Sequence, residues 1–313
     1  MPKAIVVKST GSWYRVLTPE GDYLDCKLKG NFRIKGIKTT NPIAVGDYVF
    51  FEDSEKHKVP LITQIESRRN HIIRKATKLS KRSHIIAANM DYAYVIVSLK
   101  EPKTTTGFID RFLSTAEVYH IPASIVFNKI DIYGEEEMQE LKELSIGYES
   151  LGYPCFYLSA LKGINIEEIK AKLKNKTTLF FGHSGVGKSA LINAIDEKLD
   201  VKTGAISDYH KKGKHTTTYA ELFPLDFGGF IIDTPGIKEF ALFDFTAEEL
   251  AQSFPEMRDR MYDCKYTNCL HLQEPDCAVK EAVETGQIAA SRYKNYLKMI
   301  ADIEPNDYNN NIK

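Results

Sequence analysis

No apolar run in the chain approaches the roughly 20 residues a helix needs to cross a bilayer, which excludes a helical membrane protein. The first apolar stretch, Ala4-Ile5-Val6-Val7, is too short for the core of a secretory signal. Nothing marks the chain for export, so the cytoplasm is the expected location. Cysteine is scarce and odd in number, five in 313 residues, and three of the five crowd between 264 and 277. In a reducing compartment such crowding favours metal ligation over disulfides. Net charge is absent as well, but the zero conceals an asymmetry. Residues 1–83 hold 17 Lys and Arg against 8 Asp and Glu, and the rest of the chain carries the opposite excess. A basic N-terminal module on an acidic body suggests an arm that faces a polyanion.

What is present is organised around Gly182-His183-Ser184-Gly185-Val186-Gly187-Lys188-Ser189. The stretch fits G-x-x-x-x-G-K-[ST], a loop whose N–H groups cradle phosphates. Its glycines allow close approach of the main chain to the anion. Lys188 is expected at the β- and γ-phosphates and the Ser189 hydroxyl on Mg²⁺. Thr177–Phe181 reads as a buried strand, and Ser189-Ala190-Leu191-Ile192 opens a helix whose N-terminus adds its dipole. This is the context the motif requires.

Residues 1–70 read as about five short strands split by Thr10-Gly11, Pro19–Asp22 and Val45-Gly46-Asp47. That suits a small closed barrel, of which the OB-fold is the commonest nucleic-acid-binding form. Phe32, Arg33, Lys35 and Lys38 either line a face that tracks a backbone or form a solvated face on a spacer. From Ser67 to Ser83 there are seven basic residues and no acidic one, a run that either grips phosphates or is a solvated segment, and an interdomain linker is expected over 71–83. Beyond it, strands alternate with amphipathic helices over residues 84–245, the pattern of a mostly parallel α/β sheet.

Asn128-Lys129-Ile130-Asp131 follows one of these strands. A carboxylate there can accept from N1–H and the 2-amino group of guanine, a donor pair that adenine lacks. Ser159-Ala160-Leu161-Lys162-Gly163, after the next strand, offers a second contact to the guanine edge. Asp233-Thr234-Pro235-Gly236 supplies a carboxylate for Mg²⁺ and an N–H for the γ-phosphate. Thr216 and Thr217, in His215-Thr216-Thr217-Thr218, supply hydroxyls for Mg²⁺ and phosphate. All five GTPase elements are present, but the base-reading pair precedes the phosphate loop. A site built from the ends of several strands survives such a circular permutation. Small GTPases place a water-orienting Gln after the Asp-x-x-Gly turn, and here Ile237 stands there. His215 is the nearest polar candidate for that catalytic task, or else a loop histidine that packs.

Residues 246–313 hold Cys264, Cys269, His271 and Cys277, a Cys₃His set suited to one closed structural zinc, or alternatively a group of reduced buried thiols. Ala278–Glu284 and Ile288–Ile300 read as helices, with Arg292, Lys294 and Lys298 expected on the exposed side. Cys26 and Cys155 lie in strands and are expected in the core.

Taken together these motifs resemble one family along essentially the whole chain: the bacterial ribosome small-subunit-dependent GTPase A family, RsgA or YjeQ. The resemblance implies a multidomain protein. Its parts would be an OB-fold over 1–70, a circularly permuted P-loop GTPase domain over 84–245 and a helical zinc-binding domain over 246–313. It implies GTP hydrolysis stimulated by the 30S subunit during late maturation, with the barrel and zinc domain on 16S rRNA. GTP or GDP, Mg²⁺ and one Zn²⁺ are the expected ligands, and a monomer the expected state. The catalytic histidine proposed for the family falls on His215. Two other readings remain open at this point, a nucleotide-gated RNA-binding switch with negligible turnover and a permuted GTPase serving the large subunit.

Overall fold

The computed structural model describes residues 1–29, 42–52, 59–75, 83–201, 220–234 and 245–303. The N-terminal strands β1 (Lys3–Ser9), β2 (Tyr14–Leu17), β3 (Tyr23–Leu28), β4 (Tyr48–Glu52) and β5 (Leu61–Ile65) close a barrel. Its ladder runs β1–β2–β3–β5–β4 and back to β1, with β3 and β5 the parallel pair. This is the small five-stranded barrel expected of an OB-fold. The alternation of β1 serves two cores at once. Ala4 and Val6 point into the barrel with Tyr14, Val16, Cys26 and Ile62, whereas Ile5 and Val7 join the core of the next domain. A strand buried on both faces explains the unbroken apolar run Ala4–Val7. Phe32, Arg33, Lys35 and Lys38 lie outside the described residues.

The stretch expected as a linker carries a strand instead. β6 (His71–Lys75) pairs antiparallel with β7 (Ser83–Ala88), and Ile72 and Ala87 of this ribbon are buried in the core of the central domain. Its basic composition hid a short apolar strand. Two of the arginines expected to be available to phosphate are engaged. Buried Asp47 takes Arg68 through Nε at 2.7 Å and Nη2 at 2.6 Å, and Asp91 takes Arg69 at 2.7 Å.

The central domain alternates β8 (Tyr92–Val97), α1 (Thr106–Val118), β9 (Ala123–Phe127), α2 (Glu135–Ser150), β10 (Cys155–Tyr157), α3 (Ile166–Leu173), β11 (Thr177–Phe181) and α4 (Lys188–Ile195). It closes with β12 (Glu221–Pro224) and β13 (Phe230–Asp233). The sheet order is β10-β9-β8-β11-β13-β12, parallel except for β12. Period-two alternation divides it between two helix layers. Val95, Val97, Leu179 and Phe181 face α1 and α2, and Tyr94, Ile96, Phe180 and Ile231 face α3 and α4. After β8, β9 and β10 step outward, α3 carries the chain back to β11 on the other side of β8. That reversal opens the crevice at the carboxyl ends of the strands where α/β sheets bind ligands. β12 also pairs with β1 at Lys8 and Glu221, whose side chains meet at 3.2 Å, so the sheet continues into the barrel.

The C-terminal unit comprises α5 (Ala247–Gln252), α6 (Pro255–Arg258), α7 (Ala278–Glu284) and α8 (Ala290–Ile303) around its own core of Leu250, Phe254, Met257, Tyr296 and Met299. Thr246 and Glu249 form a capping box on α5. Among the described residues no helix is long and apolar enough to cross a membrane.

Lys294 and Lys298 are exposed as expected, but Arg292 is not. It shares the inward stripe with Asn295, Tyr296 and Met299, and its guanidinium is buried at the joint with α1. Nη1 donates to Asp110 at 2.6 Å and Nε to Glu256 at 2.7 Å, while Asn295 and Tyr148 donate to Asp110 at 2.6 and 2.8 Å. One buried cation thus holds two buried carboxylates from two domains. Arg292→Ala should cost about 3–5 kcal/mol of stability, because it strands both carboxylates without their counter-charge. Chemical denaturation monitored by far-UV circular dichroism checks this.

Candidate nucleotide site and metal centre

The parallel strands deliver their loops to one edge. β11 ends at Phe181 and the chain turns through Gly182–Gly187 into the first turn of α4, which holds Lys188, Ser189 and Ala190. Two positions there tolerate only glycine. A Cβ on Gly182 would lie 2.4 Å from the carbonyl oxygen of Ile96, and one on Gly187, at φ +96°, would lie 2.4 Å from Asn128 Nδ2. Lys188 is buried, with Nζ donating to the carbonyls of Gly182 at 2.8 Å and His183 at 3.1 Å. Burial pulls its pKa down and the nearby Asp233 carboxylate opposes that. Asp233, at the end of β13, is pushed up to about 6 by burial against the pull of Lys188. Its Oδ1 is buried with no hydrogen-bond partner among the described residues. A cation at this edge would satisfy that atom, and the pairing of a phosphate loop with such a carboxylate fits Mg²⁺.

Asn128 ties three loops together. Its Nδ2 donates to Val186 O at 2.8 Å, and its Oδ1 accepts from Ala160 N at 3.0 Å. The base-reading turn is therefore fixed to both the phosphate loop and the Ser159–Gly163 loop. The latter is closed by paired main-chain bonds between Ser159 and Ile164 and by Ser159 Oγ, which accepts from Lys162 N at 3.1 Å. Lys129 adopts a left-handed conformation at φ +66°, and its Nζ donates to the carbonyl of Glu101. Asp131 Oδ1, like Asp233 Oδ1, is buried with no partner among the described residues. A buried carboxylate oxygen without a donor is costly to a protein on its own, and a ligand that brings N–H donors to this position would remove that cost.

The structure thus gathers Asn128, Lys129, Asp131, Ser159, Ala160, Gly182, His183, Ser184, Gly185, Val186, Gly187, Lys188, Ser189, Ala190 and Asp233 around one crevice. His215, Thr216, Thr217 and Gly236 lie outside the described residues. Sequence reasoning missed Phe108 of α1, whose ring stacks on the His183 imidazole at 3.7 Å between centroids. Burial, with Lys188 nearby, lowers the pKa of His183 and favours the neutral ring. Phe108 lies in no nucleotide motif, and nothing in the sequence tells which loop its ring covers.

In the C-terminal unit the candidate ligand atoms of Cys264, Cys269, His271 and Cys277 lie within 4.8 Å of one another. His271 Nδ1 is 3.7 Å from Cys264 Sγ and 3.4 Å from Cys277 Sγ, and the two sulfurs are 4.0 Å apart. Tetrahedral zinc at its usual bond lengths separates sulfurs by about 3.8 Å and sulfur from nitrogen by about 3.5 Å. Burial pushes the Cys269 thiol up to about 12, so ionised thiolates here call for a cation to take the charge. The ligand loop is pinned from outside. Tyr293 and Tyr296 donate to the carbonyls of His271 and Leu270, each at 2.6 Å, and Glu274 accepts from the amides of Leu270 and Leu272. Donor set and spacing both fit a closed zinc site.

Comparison with known proteins agrees with this geometry. The profile of the RsgA GTPase matches residues 65–243, and that of the RsgA N-terminal domain matches residues 3–59. The chain is 52% identical over 306 residues to the small ribosomal subunit biogenesis GTPase RsgA of Bacteroides fragilis, covering 98% of each. It resembles the crystal structure of YjeQ from Thermotoga maritima at 37% identity and a TM-score of 0.75, covering 96% of this chain and 98% of that one. It also resembles YloQ, described as a circularly permuted GTPase, at 30% identity and a TM-score of 0.70, covering 97% and 96%. With its base-reading loop ahead of its phosphate loop in the chain and both on one crevice, the protein belongs to the RsgA family of circularly permuted GTPases.

Proposed function

We propose that this GTPase binds the small ribosomal subunit late in its maturation and leaves when GTP is hydrolysed. The observation that carries the reading is the buried Oδ1 of Asp131, unpartnered among the described residues and tied through Asn128 to a complete phosphate loop. The 52% identical relative named for small-subunit biogenesis supports the choice of particle, and the basic excess of residues 1–83 supports a polyanionic partner. In this reading Asp131 accepts from N1–H and the 2-amino group of guanine, and the backbone of Ser159 and Ala160 flanks the base. The main-chain N–H groups from Gly182 to Ala190 surround the phosphates, and Lys188 redirects its ammonium from Gly182 and His183 to the β- and γ-phosphates. Ser189, Thr217 and Asp233 would hold Mg²⁺, which supplies positive charge against the phosphate oxygens. Thr216 and the Gly236 N–H meet the γ-phosphate, and His215 orients the attacking water in place of the glutamine that Ile237 replaces. Cys264, Cys269, His271 and Cys277 would hold one zinc. The barrel and this zinc unit contact 16S rRNA, and the protein acts as a cytoplasmic monomer.

Phosphate release titrated with purified small subunits tests the proposal. The expected result is a rate that rises with added subunits and saturates. His215→Ala should lower the stimulated rate by about a hundredfold, the usual worth of a general base, with GTP affinity unchanged. A rate indifferent to small subunits, or stimulated by large ones, overturns the proposal.

A further inference from the structure

The turn that carries Asp131 is held by a side chain outside every nucleotide motif. After β9 the main chain passes Lys129 in its left-handed conformation, makes a single 3-10 turn over Ile130–Ile132 and becomes extended at Tyr133. The Tyr133 ring packs on the central core. Its hydroxyl donates to the main-chain carbonyl of Asn128 at 2.8 Å and accepts from the Leu99 amide at 2.8 Å. Ser98 Oγ is more distant, at 3.4 Å, and sends its own hydrogen to Lys100 O. One hydroxyl thus links the start of the base-reading turn to the segment that leaves β8.

That segment is a firm anchor. Ser98 and Thr104 close it on each other, with Thr104 N donating to Ser98 O at 2.7 Å and Ser98 N to Thr104 Oγ1 at 3.2 Å. Lys100 and Lys103 pair with Glu137 at 3.2 Å and Glu140 at 2.7 Å on α2. Lys129 adds its bond to the Glu101 carbonyl.

We infer that Tyr133 is a positioning residue for guanine selectivity: its hydroxyl clamps the Asn128–Asp131 turn to the loop after β8 and so fixes the Asp131 carboxylate at the base edge. Asn128 and Leu99 are both buried, so phenylalanine at 133 would leave a carbonyl and an amide without their partner. The turn would then shift or fluctuate three residues from the carboxylate, and a two-point hydrogen bond to a base depends steeply on geometry. Burial raises the phenol pKa, which keeps the clamp a protonated donor at neutral pH. Among the described residues Tyr133 makes no hydrogen bond to the phosphate loop and reaches it only through the side chain of Asn128 on Val186, so the larger effect falls on recognition of the base.

The inference rests on Asp131 reading guanine, and the experiment separates the two. Dissociation constants of GDP and of inosine diphosphate, which lacks the 2-amino group, are measured for the wild-type chain and for Tyr133→Phe. The wild type should favour GDP at least about tenfold, the worth of one well-placed hydrogen bond to a charged group. Tyr133→Phe should weaken GDP about tenfold and narrow that preference. Equal weakening of both nucleotides, or an unchanged preference, overturns the inference alone. A wild-type chain without preference overturns the Asp131 reading and the inference with it. Hydrogen exchange on the wild-type protein provides a check that needs no variant. By reciprocity of coupling, GDP should protect the Leu99 amide more than inosine diphosphate does at saturation. Equal protection overturns the inference.

Discussion

Asp131→Asn should lower GTP affinity by roughly three orders of magnitude or more and make xanthosine triphosphate the preferred ligand. The carboxylate is acceptor-only, with one oxygen buried and unpartnered among the described residues. In the proposed site guanine would present two donors to it, N1–H and the 2-amino group, and the pair would remove the cost of the buried orphan. An asparagine keeps one acceptor and turns the other atom into a donor, which faces the 2-amino group donor to donor. Xanthine carries an oxygen at that position and restores the match. Competition of GTP, ATP and xanthosine triphosphate against a fluorescent nucleotide reads the outcome directly. Retained GTP preference in the variant would place the purine away from Asp131. The variant leaves the phosphate contacts of Gly182–Ser189 in place, so loss of GTP with gain of xanthosine nucleotide distinguishes altered recognition from a collapsed site.

The site was more legible in the sequence than its supports were. Phosphate and base contacts need particular residue types at fixed spacing, because backbone approach excludes a Cβ and a carboxylate must meet two donors. Hence Gly182, Gly187, Lys188 and Asp131 are readable one residue at a time. Supports obey a weaker rule, that some partner be present, and they take it from distant parts of the chain. Arg292 looks like a solvated helix residue until Asp110, 182 positions away, and Glu256 are found against it. Tyr133 looks like an ordinary residue after a turn until the Leu99 amide is found at its hydroxyl. The basic run hid β6 because charge dominates composition while pairing depends on alternation. α2 continues to Ser150 across Gly147, a residue that read alone would end it. A mid-helix glycine costs about 1 kcal/mol, and burial of Tyr148, bonded to Asp110 at 2.8 Å, offsets it. The barrel was legible for the opposite reason, since its turns carry their own residue chemistry. That β1 also walls the central domain was not, because an apolar run does not say which core takes which face.

Removing zinc should unfold the C-terminal unit. Apparent binding free energies of structural zinc are about 10–16 kcal/mol, more than a four-helix unit of this size gains from its core alone. Cys269 and Cys277 sit inside that core beside Val279, Tyr296 and Met299, so loss of the metal acts on packing as well as on the ligand loop. The tyrosines that hold the loop carbonyls belong to α8, the helix that also carries Arg292 to Asp110. Unfolding should therefore reach the joint with α1 and release the buried charges there. The expected measurements are one zinc per purified chain and, after chelation, proteolytic cleavage beyond residue 245 that is at least about a hundredfold faster, as loss of more than 3 kcal/mol of protection requires. Cys277→Ser should reproduce both effects, since a buried hydroxyl is a poor substitute for a thiolate ligand. The strands and helices of the barrel and the central sheet should stay protected, because these parts have cores of their own. A chain that purifies without metal and still resists protease would reduce the four side chains to buried thiols and a packed imidazole. In that case the Arg292 joint and the apolar core would be holding the unit by themselves.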